Sequence, residues 1–161
     1  MVSGELDLGI VTMPLQGAAA SELMSVASIE DELLLIVPEG RRLWGTGRYA
    51  WSDLAGEPMV LFEDGSAVRG IIDLESREAG VALSVVMEVQ SAETIERMIG
   101  ACIGPGLISR FALGGRRGLI CSDGRLIRLL AVVRRRDRVP SAASAVFERV
   151  LLSEWSGHSR P

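Results

Sequence analysis

MVLFEDGSAVRGII at residues 59–72 and LSVVMEVQSAETI at residues 83–95 share one layout: an apolar run, a short polar loop, a serine, then an apolar periodicity near 3.6. Met59 to Phe62 reads as a short strand. Ser66 is placed as the N-cap of a helix running to about Ala79, where Gly80 supplies the stop. Val68, Ile71 and Ile72 share the inward face of that helix, with Asp73, Glu75, Arg77 and Glu78 directed outward. In the second stretch Leu83, Val85, Met87 and Val89 alternate with Ser84, Val86 and Glu88, the period of a strand with one apolar face. Ser91 caps the next helix, whose Ile95, Met98, Ile99 and Cys102 fall at i, i+3, i+4 and i+7, so Cys102 is expected in the core. Gly104-Pro105-Gly106 turns the chain into Leu107 and Ile108, a third strand of the same unit. Strand, helix, strand, helix, strand in this order predicts an α/β fold around a mainly parallel sheet.

Outward from this unit the same alternation continues. Leu6 to Val11 is the first strand, and Gly17 to Ala20 reads as a loop or turn. Leu33 to Val37 is an uninterrupted apolar run ended by Pro38 and Gly40, the pattern of a strand buried on both faces. The segment Arg41 to Trp51 reads as a loop whose aromatics Trp44, Tyr49 and Trp51 pack a lobe boundary. Met24 and Met59 read as core or loop filler. Gly114 to Gly118 connects to a strand over Leu126 to Val133, and Ser141 caps a last helix with Ala142, Val146 and Val150 on one ridge beside Ala143, Phe147 and Leu151. The tail from Ser153 to Pro161, with the single histidine His158, reads as frayed.

Composition narrows the function. A chain of 161 residues can bury roughly two-thirds of its unfolded surface without disulfides. Two cysteines, Cys102 and Cys121, without partner histidines predict no disulfide framework and no zinc site, and no cofactor is expected. The N-terminal residues lack the basic and apolar segments of a signal peptide, and no apolar stretch approaches the ~18 residues of a membrane span, so the expectation is a cytoplasmic protein without membrane contact. A net charge of −4 gives no general attraction for phosphate backbones. The basic run Arg134, Arg135, Arg136 and Arg138 is interrupted by Asp137 and reads as a strand leaving the core for solvent.

Enzymatic readings lack their residues. His158 lies in a polar tail and no Gly-x-Ser-x-Gly elbow is present, which removes a Ser–His–Asp triad. There is no lysine for a phosphate-binding loop, and Gly104-Pro105-Gly106 enters a strand where a dinucleotide turn would open a helix. Glu63 and Asp64 are adjacent and read as polar loop residues. Catalytic residues are therefore expected to be none. The chemistry that remains is binding: in an open sheet of this kind ligands sit outside the carboxyl ends of the strands, where helix N-termini present unpaired N–H groups. The loops Glu63 to Ser66 and Gln90 to Ser91 both meet that description and suit a carboxylate, although each serine could serve simply as a cap.

The ordered series Gly4-Glu5-Leu6-Asp7-Leu8-Gly9-Ile10, Leu35-Ile36-Val37-Pro38, Asp53-Leu54-Ala55-Gly56-Glu57-Pro58, Gly100 to Leu107 and Arg134-Arg135-Arg136-Asp137-Arg138 resembles the effector-binding region of LysR-type transcription regulators, from Gly4 to about Leu152. The resemblance implies a type-2 periplasmic-binding-protein-like fold of two Rossmann-like lobes joined by two crossing strands. Residues 1–38 and 120–161 would form the first lobe and 39–119 the second. It implies a small effector, a carboxylate by the helix-end chemistry, held by Val37, Pro38, Glu63, Gly65, Ser66, Gln90 and Ser91, and a homo-oligomer. Relative to the family, the winged helix-turn-helix, the linker helix and the first strand, helix and strand of the first lobe are missing before Gly4, so that lobe is incomplete and DNA contact would be made only through a helix-turn-helix absent from this chain. Pro105 replaces a usual aliphatic residue and Ser109 a common proline. Three alternatives accompany this reading: a stand-alone solute-binding module, a small enzyme on the same scaffold, and a truncated product without folded function, for which exposed sheet edges predict self-association.

Overall fold

The computed structural model describes residues 6–15 and 17–158. Its elements are β1 (Leu8–Thr12), α1 (Ala18–Glu22), β2 (Leu23–Ile36), β3 (Arg48–Tyr49), a 3-10 turn (Trp51–Leu54), β4 (Pro58–Phe62), α2 (Ala67–Glu78), β5 (Ser84–Val89), α3 (Ala92–Gly100), β6 (Gly106–Ser109), a second 3-10 turn (Arg110–Ala112), β7 (Ile120–Cys121), β8 (Ile127–Arg135) and α4 (Ala142–His158). Two compact units result, Met1–Glu30 with Leu129–Pro161, and Asp31–Arg128. β2 and β8 each run through the boundary between them.

In the unit 31–128 the strands β4 and β5 pair in parallel, with Phe62 opposite Val89. β6 lies along β4 in the same direction. Pro58 O is the nearest atom to a Cβ built on Gly104, Val60 O crowds one on Gly106, and Val60 N–H donates to Pro105 O at 2.9 Å. Side chains cannot be added at Gly104 or Gly106, because they would meet that backbone at 1.6 and 2.8 Å. β6 then pairs antiparallel with β2, Ile36 opposite Gly106 and Leu33 opposite Ser109. The third strand of the predicted unit therefore has its ladder with β2. The sheets are mixed where a mainly parallel one was expected: β3–β7 and β4–β5 are parallel, β1–β8 and β2–β6 antiparallel.

Alternation along these strands feeds two cores. Leu33, Leu35, Met59, Leu61 and Leu107 pack with Ile72 of α2, whereas Ile36, Val60 and Ile108 pack with Ile95 and Ile99 of α3. β5 changes sides. A register shift between Met59 and Val60 leaves Leu83 and Val85 on the α2 core but puts Met87 and Val89 on the α3 core. Tyr49 and Trp51, expected at a lobe boundary, are buried in the α2 core with rings in edge contact at 6.1 Å.

Four further expectations are corrected. Cys102 is exposed, beyond the end of α3, and takes φ 58, because the chain has already left the helix at Gly100. The segment Gly17 to Ala20 opens helix α1, and α4 continues through His158 where a frayed tail was expected. β2 begins ten residues before Leu33, at Leu23.

The other unit pairs β1 antiparallel with β8, Leu8 opposite Arg134 and Thr12 opposite Leu130. Its core is small: Leu23, Ala131 and Val133, with Val11, Met13 and Leu15 against them. α4 starts as expected, the Ser144 N–H donating to Ser141 Oγ at 3.1 Å. Its ridge is outward, with Val146, Phe147 and Val150 each more than half exposed.

Candidate functional site

Because β4 and β5 are parallel and end together at Phe62 and Val89, the loops that follow them are neighbours, one strand spacing of ~4.8 Å apart. Glu63 N–H donates to Val89 O at 3.0 Å and joins them directly. Each loop ends in its serine cap: Ser66 Oγ accepts from Arg69 N–H at 3.1 Å, and Ser91 Oγ from Thr94 N–H at 3.2 Å. In the first loop Gly65, at φ 83, donates its N–H to Asp64 Oδ1 at 2.8 Å, and Ser66 N–H reaches Glu63 O at 3.2 Å. That leaves the N–H groups of Ala67 and Val68, and of Ala92 and Glu93, without partners among the described residues. Two helix N-termini thus present free donors and partial positive charge at one sheet edge, which suits a carboxylate or other small anion. The exposed carboxylates of Glu63 and Asp64 stand at the same edge and oppose it.

Arg69 holds this edge rigid. Its side chain is 12% exposed, and the guanidinium donates to Phe62 O at 3.0 Å, to both oxygens of Asp73 and, at 2.7 Å, to Glu88 Oε1. Burial works against its charge, but the bonds from Glu88 and Asp73 outweigh that, and the guanidinium titrates above its ordinary value. One side chain therefore ties α2 to the ends of both strands.

Val37 and Pro38 are not part of this edge. They follow the last residue of β2, which faces the first residue of β6, and β6 starts beside the start of β4. They are buried beside Leu43, Glu57 and Pro105, at the opposite end of the sheet, roughly 13 Å along the strands from Glu63. What does lie at the site's end of β6 is a buried polar cluster that the sequence reading missed. Ser109 Oγ donates to Asp31 Oδ1 at 2.8 Å, and Arg128 Nε donates to Asp31 Oδ2. The signal for it is Asp31 itself, a charged residue entering an apolar run.

Among the described residues no cluster of His, Cys, Asp and Glu could hold a metal, and no helix is long and apolar enough to cross a membrane.

The family model of the LysR substrate binding domain matches residues 1–156. The chain belongs to that family. Two curated relatives of this LysR-family chain are an uncharacterized HTH-type transcriptional regulator, YwbI, of Bacillus subtilis, 27% identical over 161 residues, and a probable RuBisCO transcriptional regulator of Synechocystis, 25% identical over 167 residues. The alignments take in 94% and 98% of the chain but 52% and 48% of those proteins, so the chain spans about half the length of the curated relatives it matches. Among solved structures it superposes on the regulatory domain of Synechocystis CcmR in complex with 2-PG, with TM-score 0.82, 23% identity and coverage of 95% of this chain and 75% of that one. It also superposes on the effector binding domain of QuiR in complex with shikimate, with TM-score 0.81, 16% identity and coverage of 99% and 76%. The fold is thus the periplasmic-binding-protein-like α/β fold of LysR effector-binding domains.

Proposed function

We propose that this LysR substrate-binding domain senses a small carboxylate at the sheet edge where α2 and α3 begin, and that the sensing controls a DNA-binding dimer. The observation that carries the reading is the pair of serine-capped helix N-termini held side by side by the Glu63–Val89 backbone bond. The donors are backbone N–H groups of the first helical turns, with Ser66, Ser91, Gly65 and Gln90 shaping the surface and Glu63 setting how strongly an anion is attracted. Val37 and Pro38 support the fold from the far end of the sheet. The bound molecules of CcmR and QuiR, 2-PG and shikimate, favour an acidic effector.

Operator contact is assigned to a helix-turn-helix outside residues 1–161, since this chain carries net charge −4 and its relatives are named HTH-type regulators of about twice the aligned length. The relatives' names also favour a cytoplasmic, non-enzymatic regulator over an exported solute-binding module.

Thermal unfolding of the 161-residue chain with and without 2-PG or shikimate tests this reading. A ligand bound only by the folded state raises stability by about 2.7 kcal/mol at 100 times its Kd. A saturable rise that is lost in the Ser66→Ala/Ser91→Ala double variant supports it; a rise indifferent to both substitutions places the anion elsewhere and overturns it.

A further inference from the structure

A cavity lies within the unit 31–128, beside the end of β2 and away from the α2–α3 edge. It measures about 540 Å³, inside the ~300–1,000 Å³ range of small-molecule pockets. Its construction follows from the pairing of two loops. β3 and β7 run parallel with Arg48 opposite Ile120, Ile120 N–H donates to Gly47 O at 3.1 Å, and Leu119 bridges Leu35 of β2. The loop around Trp44 is thereby fastened over the loop around Arg117. Gly118 permits the approach, because a Cβ there would meet Leu34 Cβ at 2.6 Å. Gly45 and Gly47, at φ 80 and 75, turn the Trp44 loop without placing a side chain over the opening.

The lining combines three chemistries. Ile36 and Leu119, both buried, give an apolar floor, and Trp44 is a half-exposed aromatic wall. Arg116 and Arg117 supply the charge. Arg116 is drawn toward Glu96 of α3, at 3.6 Å, whereas Arg117 makes no hydrogen bond or ion pair among the described residues. A cationic fork beside an indole and an apolar floor complements a flat molecule with one anionic group, through guanidinium–carboxylate bonding and stacking.

We infer that this cavity is a second ligand site, distinct from the α2–α3 edge, and that it takes a planar aromatic carboxylate, with Arg117 holding the carboxylate and Trp44 covering the ring. The site does not depend on the proposed sensing edge, and the test separates the two.

The experiment is a benzoate titration of the full chain followed by the Trp44 indole N–H resonance, assigned through its absence in Trp44→Phe. The expected result is a saturable shift, weakened about 10-fold by Arg117→Gln through loss of one charge-assisted bond. Benzamide, neutral and of the same shape, is expected to bind correspondingly more weakly, and the Ser66→Ala/Ser91→Ala variant is expected to titrate like the parent. Both Arg117 and Trp44 are exposed, so their variants keep the parent's melting temperature. An absent or non-saturating shift overturns the inference, as does equal binding of benzamide or an unchanged affinity in Arg117→Gln. A shift abolished by the serine substitutions assigns the benzoate to the helix edge and also overturns it.

Discussion

Asp31 and Arg128 are the first and last residues of one compact unit, and they are paired: the fully buried carboxylate accepts from Arg128 Nε and, on its other oxygen, from Ser109 Oγ. β2, β6 and β8 are thus pinned at one point by a charge that has no access to water.

Breaking such a pair leaves an uncompensated buried charge, whereas removing both partners does not. Arg128→Met is expected to cost ~3–5 kcal/mol, and adding Asp31→Leu to recover a large part of that loss. Urea unfolding of the single and double variants measures it. A single substitution as mild as a surface change, within ~0.5 kcal/mol, contradicts the account of the pair.

Arg69 links Phe62 O, Asp73 and Glu88 from a largely buried position. Arg69→Met keeps much of the stem packing but removes those bonds, with an expected loss of ~2 kcal/mol. Because both loops of the candidate site hang on the strand ends it ties, amide exchange at Gly65, Ser66 and Ser91 should accelerate more than exchange in β2 or β6. Uniform acceleration across the unit would show a global effect and no local clamp.

How much of this is legible in the sequence depends on the range of the interaction. The two strand–cap–helix units are written locally: Ser66 and Ser91 cap where their spacing places them, and Gly80 stops α2 at φ 71. Cys102 shows the limit of periodicity, since its stripe continues two residues past the point where the helix ends. The first half of β2 is hidden because Ser25, Ser28 and Glu30 are exposed and break the apolar run that marks its second half. The site's membership is decided by strand direction. Only the β2–β6–β4 pairing separates Val37 and Pro38 from Ser66 and Ser91, and brings Asp31 to Ser109 and Arg128, which lie 78 and 97 residues away in sequence. The shift that divides β5 between two cores is likewise invisible to alternation, which assigns Leu83 to Val89 one face.

Glu63 carries an exposed carboxylate at the entrance to the α2 N-terminus. Neutralising it removes one repulsion toward an anion, and exposed charge pairs contribute ~0.2–1 kcal/mol, so under the proposed carboxylate-sensing role Glu63→Gln is expected to tighten binding of 2-PG, used as the probe, severalfold. Calorimetric titration at low and high salt checks both size and origin, because the gain should shrink as screening rises. Weaker binding in Glu63→Gln would mean that Glu63 is a contact for the ligand and not an opposing charge.

Tyr49 is buried beside Cys121, and its hydroxyl has no hydrogen-bond partner among the described residues. Burial, with the neighbouring Cys121 thiol second, pushes the phenol well above its ordinary range, so it stays neutral at every pH at which the protein is handled. An unsatisfied buried hydroxyl costs ~1–3 kcal/mol of desolvation, while the ring still contributes its edge contact with Trp51. Tyr49→Phe should therefore raise stability by ~1 kcal/mol, and Tyr49→Ala should lower it by ~3–5 kcal/mol by opening a cavity between β3 and the core. Thermal melts of both variants decide the point. A loss in Tyr49→Phe would show that the hydroxyl is hydrogen-bonded in solution, with the Cys121 thiol as its partner; Cys121→Ala should then produce the same loss, and the two should not add.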